Sequence, residues 1–110
     1  MVKNILFVCS ANAKRSPTAE LWFKLFKPEN NYSSAGTSEF ACRKYGGKYI
    51  SENDLEIADQ VICMENSHKN QIEKKYGNRF NEKMEVAGIK DEFSFLDIQL
   101  IFEITDKILI

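Results

Sequence analysis

An α/β domain with a mostly parallel sheet is what this chain predicts, and three observations predict it. Short β-rich runs alternate with helical stretches along the whole sequence. The first run, residues 4–8, continues Ile, Leu, Phe, Val without the polar alternation of a half-exposed strand, as a central parallel strand covered on both faces requires. A length of 110 residues accommodates four strand and helix pairs in one domain, residues 1–110, and no repeat, linker or low-complexity tract divides it.

The elements follow in order. Residues 4–8 belong inside the sheet. From 17 to 27 the apolar residues Leu21, Trp22, Leu25 and Phe26 recur at helical spacing, with Ser16 as a natural N-cap, Pro17 as a natural first helical residue and Pro28 as the stop. Trp22 and Phe23 are assigned mainly to the core. A second strand fits 32–35, and Gly36 opens a polar stretch, read as loop, that runs through Gly46 and Gly47. Ser51 begins a capping box with Asp54 in place of Glu, ahead of a short helix carrying Leu55, Ile57 and Ala58. A buried strand at 60–64 contains Cys63. Residues 67–76 form a mostly exposed helix, with Ile72 and Tyr76 four apart, Gly77 as its end and His68 as a surface residue. The last strand lies near 84–87. After a loop, Leu100, Ile101, Ile104 and Ile108 share one face of a helix that Asp97 caps.

Composition narrows the function classes. Fifteen Lys and Arg against sixteen Asp and Glu are spread without a basic block, which argues against a nucleic-acid partner. The apolar stretch at 5–8 is too short for a signal core, and no run approaches the roughly 18 apolar residues of a membrane span, so a cytoplasmic protein away from membranes is expected. Cys9, Cys42 and Cys63 make neither a disulfide framework nor a paired metal-ligand pattern, and Cys42, in a polar loop, reads as incidental.

The segment that carries chemistry runs from Cys9 to Pro17, between the first strand and the first helix. In an open parallel sheet, ligands bind beyond the carboxyl ends of the strands, and a loop that feeds a helix presents unpaired amide N–H groups there. Ser10, Ala11, Asn12, Ala13 and Lys14, the residues between Cys9 and Arg15, suffice to wrap the backbone around one tetrahedral oxyanion, with the thiol at the floor and the guanidinium on the rim. Converging amides, a helix dipole and an arginine all favour the thiolate, which makes Cys9 a candidate nucleophile. Ser16 can donate its hydroxyl to the sulfur and ease its departure from a covalent intermediate. Asn12 tolerates the left-handed backbone angles that help aim the amides inward.

The stretch ILFVCSANAKRSPTAE at residues 5–20 resembles the signature of the low-molecular-weight protein tyrosine phosphatases, and SAGT at 34–37 and ADQVICM at 58–64 resemble that family's second and third strands. The resemblance implies a four-stranded parallel sheet in the order 2-1-3-4 with helices on both faces. It implies phosphomonoester hydrolysis through a cysteinyl-phosphate, without metal or other cofactor, on a phosphorylated protein or small aryl phosphate, with inorganic phosphate or a similar oxyanion as a ligand. It also implies a general acid on the loop after the last strand, which is Asp91, and aromatic pocket walls, for which Phe40 and Phe93 stand in the matching positions. Where the family carries Asp-Pro-Tyr, this chain has Asp91, Glu92, Phe93 and then Ser94. Three alternatives share the fold or the loop: an oxyanion-binding module without catalysis, an arsenate reductase needing Cys42 and Cys63 as relay thiols, and a sugar-system phosphocarrier, against which Arg15 argues.

Overall fold

The computed structural model describes residues 2–110. Four strands, β1 (Asn4–Cys9), β2 (Asn31–Gly36), β3 (Gln60–Cys63) and β4 (Met84–Val86), form one parallel sheet in the order β2-β1-β3-β4, the expected topology. Among the described residues the helices are α1 (Arg15–Phe26), α2 (Glu39–Tyr45), α3 (Glu52–Ile57), α4 (Asn66–Tyr76) and α5 (Ile98–Lys107), with none long and apolar enough to cross a membrane. The crossover from β1 leads to β2 on one side and the chain returns to β3 on the other. A crevice therefore opens at the carboxyl end of β1, where the winding reverses.

Alternation along β1 divides the core. Ile5, Phe7 and Cys9 face Ala19 and Phe23 of α1 and Leu100 and Ile104 of α5, while Leu6 and Val8 face Leu55 of α3 and Ile72 of α4. Both faces of β1 are thus sealed, which explains its unbroken apolar run.

The rotation of α1 differs from the expected one. Leu21, Leu25 and Phe26 are exposed, Trp22 is half-buried, and the buried stripe is Arg15, Ala19 and Phe23, at intervals of four. One helical face thus both packs the sheet and carries the Arg15 side chain into the crevice. The helix also begins earlier than expected: Lys14 occupies the N-cap without a side-chain hydrogen bond, Arg15 opens the helix and Ser16 lies within it, buried. Ser16 is free of capping because its hydroxyl is engaged elsewhere. The polar stretch after Gly36 likewise contains α2, capped by the Ser38 hydroxyl, which accepts from the Ala41 amide. The capping box at Ser51 and Asp54 and the N-cap at Asp97 form as expected.

Candidate active site

The loop from Cys9 to Arg15 is held from outside by its carbonyls. The Thr37 and Ser38 amides donate to the carbonyls of Cys9 and Ser10 at 2.9 and 3.0 Å, and the Thr18 amide donates to that of Lys14 at 3.0 Å. The Ala11 and Asn12 carbonyls lie against Gly47, where an added Cβ would stand well inside van der Waals contact distance of the first and 2.8 Å from the second. A peptide's N–H points opposite to its C=O, so carbonyls drawn outward turn the loop amides inward. Gly36 backs the loop in the same way, since a Cβ there would stand 2.9 Å from the Asn12 amide nitrogen. Both glycines read only as turn signals in the sequence; their role is close approach. Gly47→Ala is expected to destabilise the fold by about 2–4 kcal/mol, because the obstacle is backbone and cannot swing away. A urea titration checks this, and a midpoint equal to that of the parent chain would refute it.

Asn12 takes the left-handed conformation, at φ 54°, with its side chain turned away from the crevice. Its amide group donates to Ser16 Oγ and to Ser34 Oγ, both at 2.9 Å, and its Oδ1 accepts from the Lys48 amide at 2.9 Å. Ser34 passes its own proton to Glu20 Oε1 at 2.5 Å. Ser16 Oγ accepts from Asn12 and lies 3.0 Å from Cys9 Sγ, within reach to donate its single proton to the sulfur when that is a thiolate, which can only accept. Cys9, 3% exposed at the end of β1, thus has a hydroxyl partner held in place by Asn12.

Arg15 is 3% exposed and held by partners distant in the chain. Its Nη1 donates to Glu65 Oε1 and, at 2.9 Å, to the Ile89 carbonyl. Asp91 Oδ1 stands 3.8 Å from Nε. A cleft of about 120 Å³ gathers these groups: Cys9, Ser10, Ala11, Ala13, Lys14 and Arg15 line it, and Asp91 and Tyr45 complete its rim. Asp91 is exposed there, open to an incoming ligand.

Phe40 and Phe93 are not on this cleft. Phe40 is 78% exposed on the outer face of α2, and Phe93 packs against the α1 and α5 side of the core beside a separate groove shared with Phe102. Tyr45, five residues beyond Phe40 at the end of α2, is the aromatic on the rim; the helix that carries it was hidden in a stretch read as loop.

His68 is a further correction. It is 1% exposed, accepts the Glu65 amide proton on Nδ1 at 3.0 Å and places Nε2 3.0 Å from Ser10 Oγ. Burial, assisted by the charge of Arg15, pushes its pKa down to about 4, so the ring is neutral near pH 7. The available signal was periodicity: His68 lies four residues before Ile72, on the same face. Cys42 is buried rather than loop-exposed, its Sγ 3.6 Å from the Ser10 carbonyl and 3.5 Å from that of Lys48, and burial raises its pKa with the neighbouring Cys9 adding to the effect. Burial also pushes Cys63 up to about 12. Neither is primed as a relay thiol.

No family model matches the chain. It is 29% identical to the low molecular weight phosphotyrosine protein phosphatase of Gallus gallus, over 82% of this chain and 73% of that protein. In fold it resembles the tyrosine phosphatase Wzb from Escherichia coli K30 in complex with phosphate, with a TM-score of 0.76 at 22% identity over 97% of this chain and 94% of the other. It also resembles the YwlE arginine phosphatase from Geobacillus stearothermophilus, with a TM-score of 0.69 at 21% identity over 94% and 84% of the two chains.

Proposed function

We propose that the chain is a phosphatase of the low-molecular-weight protein tyrosine phosphatase type, which its likeness to such a phosphatase over 82% of its length supports, and that it hydrolyses phosphomonoesters, phosphotyrosine among them, through a cysteinyl-phosphate on Cys9. The observation that carries this reading is the convergence of a hydroxyl-paired thiol, a tethered guanidinium and an open carboxyl on one small cleft.

Substrate phosphate enters the ring of inward amides, with Arg15 holding two of its oxygens. Cys9 attacks phosphorus as the thiolate while Asp91 protonates the leaving oxygen, and the P–O bond breaks as the S–P bond forms. Water then attacks the phosphocysteine, giving its proton to Asp91, and the departing sulfur is received by the Ser16 hydroxyl. Tyr45 offers a ring face to an aromatic substrate at the rim, which favours an aryl phosphate over an aliphatic one.

Hydrolysis of p-nitrophenyl phosphate in the presence of a chelator tests the reading; no turnover by the folded protein on this or on a phosphotyrosyl peptide would overturn it. Asp91→Asn is expected to lower kcat about 10²–10³-fold for phosphotyrosine. The loss should be several-fold smaller for p-nitrophenyl phosphate, whose leaving group needs less protonation. Equal losses on both would assign Asp91 a role other than acid.

A further inference from the structure

We propose that His68 is a positioning residue that fixes the Ser10 hydroxyl as a phosphate donor, an inference that rests on the phosphate-cradle reading of the Cys9 to Arg15 loop. The argument is one of proton placement. The Glu65 backbone amide can only donate, so Nδ1 of His68 must offer its lone pair to it. The ring proton of the neutral imidazole therefore resides on Nε2, which donates to Ser10 Oγ. Ser10 Oγ accepts there, and its own proton is left for another acceptor. Ser10 lines the cleft beside Cys9, and His68 is the one hydrogen-bond partner of its hydroxyl among the described residues, so its proton is available to an anion in the cleft.

The same ring braces the opposite wall. Glu65, whose amide His68 receives, holds Arg15 through its carboxylate. The charged groups that act on the ring are Arg15 of α1, Glu65 before α4 and Asp91 of the last loop. The cation of Arg15 opposes ring protonation and the two carboxylates favour it, while burial keeps the ring neutral. A buried neutral histidine here thus couples the two sides of the cradle without adding a charge that would compete for the phosphate.

Three variants separate the two bonds of the ring. Asn is short and places its amide oxygen where Nδ1 stands, keeping the bond to Glu65 and losing that to Ser10. Gln reaches to the position of Nε2 with an N–H donor. Ser10→Ala is expected to weaken binding of inorganic phosphate about tenfold and to raise KM similarly, with kcat changed less than threefold. His68→Asn should match it, His68→Gln should stay within about threefold of the parent, and Ser10→Ala combined with His68→Asn should be no worse than either alone. Phosphate binding is read by calorimetry, which needs no turnover. Since the chain has one histidine, its imidazole ¹⁵N resonances report the tautomer without ambiguity, even where a His68 variant does not fold. A proton on Nδ1, an unchanged phosphate affinity in Ser10→Ala, or losses that multiply in the double variant would each overturn the inference while leaving the phosphatase reading intact. A parent protein that binds no phosphate would overturn both.

Discussion

Cys9→Ser is expected to abolish hydrolysis, lowering kcat by about 10⁴-fold or more, while inorganic phosphate still binds within a few-fold of the parent affinity. A hydroxyl at the floor of the cleft remains protonated at neutral pH and is a poor nucleophile. Binding survives because it rests on other groups, namely the inward amides and Arg15, whose anchors at Glu65 and Ile89 do not involve the sulfur. The replacement also preserves a partner for Ser16, since a hydroxyl at residue 9 can share a hydrogen bond with Ser16 Oγ as the thiol does. Single-turnover kinetics and phosphate calorimetry on the same preparation provide the check. Residual turnover above a hundredth of the parent rate would move the nucleophile elsewhere, and loss of binding together with turnover would mean that the substitution had collapsed the loop.

Arg15→Lys is expected to lower kcat/KM about 10³-fold, equivalent to about 4 kcal/mol of transition-state stabilisation. Nη1 is committed to Glu65 and to the Ile89 carbonyl, so Nε and Nη2 remain as the edge that can grip two phosphate oxygens. An ammonium can neither form that fork nor serve both distant anchors at once. It would be drawn to Glu65 and leave the Ile89 carbonyl without its buried donor, which costs about 1–3 kcal/mol of stability in addition. Kinetics and urea unfolding measure the two losses separately. Retention of more than a tenth of the parent kcat/KM would show that Arg15 acts by charge alone.

Much of this was legible because the site is local. Cys9, Asn12, Arg15 and Ser16 fall within eight consecutive residues that span the end of a strand, a loop and the start of a helix, and the strand declares itself by its apolar run and the helix by its periodicity. The fold was legible for a similar reason, since the apolar runs of β1 and β3 and the caps of α3 and α5 are short-range signals. What was not legible depends on the rotation of helices. Ser16 resembles an N-cap, yet Asn12 and Cys9 claim its hydroxyl once α1 starts at Arg15. In α2, the burial of Cys42 decides which aromatic turns outward, leaving Phe40 in solvent and Tyr45 on the rim. His68 was masked by the polar residues around it on α4. The glycines at 36 and 47 show their purpose only when the back of the loop is in place, because a sequence reports a turn more readily than a close approach.

The tethering of Arg15 bears on how the chain acquires its chemistry during synthesis. The partners of the guanidinium lie 50 and 74 residues downstream, and β1 pairs with β3 only after residue 60 has been added. Contacts of such sequence separation form late, since the intervening chain must first be closed into a loop. A nascent chain thus carries Arg15 without its two anchors until residues 65 and 89 have been added, and the cradle is completed only then. A truncated or stalled product ending before Ile89 therefore lacks an anchor of the guanidinium, and with it the fixed orientation of the edge that faces the cleft.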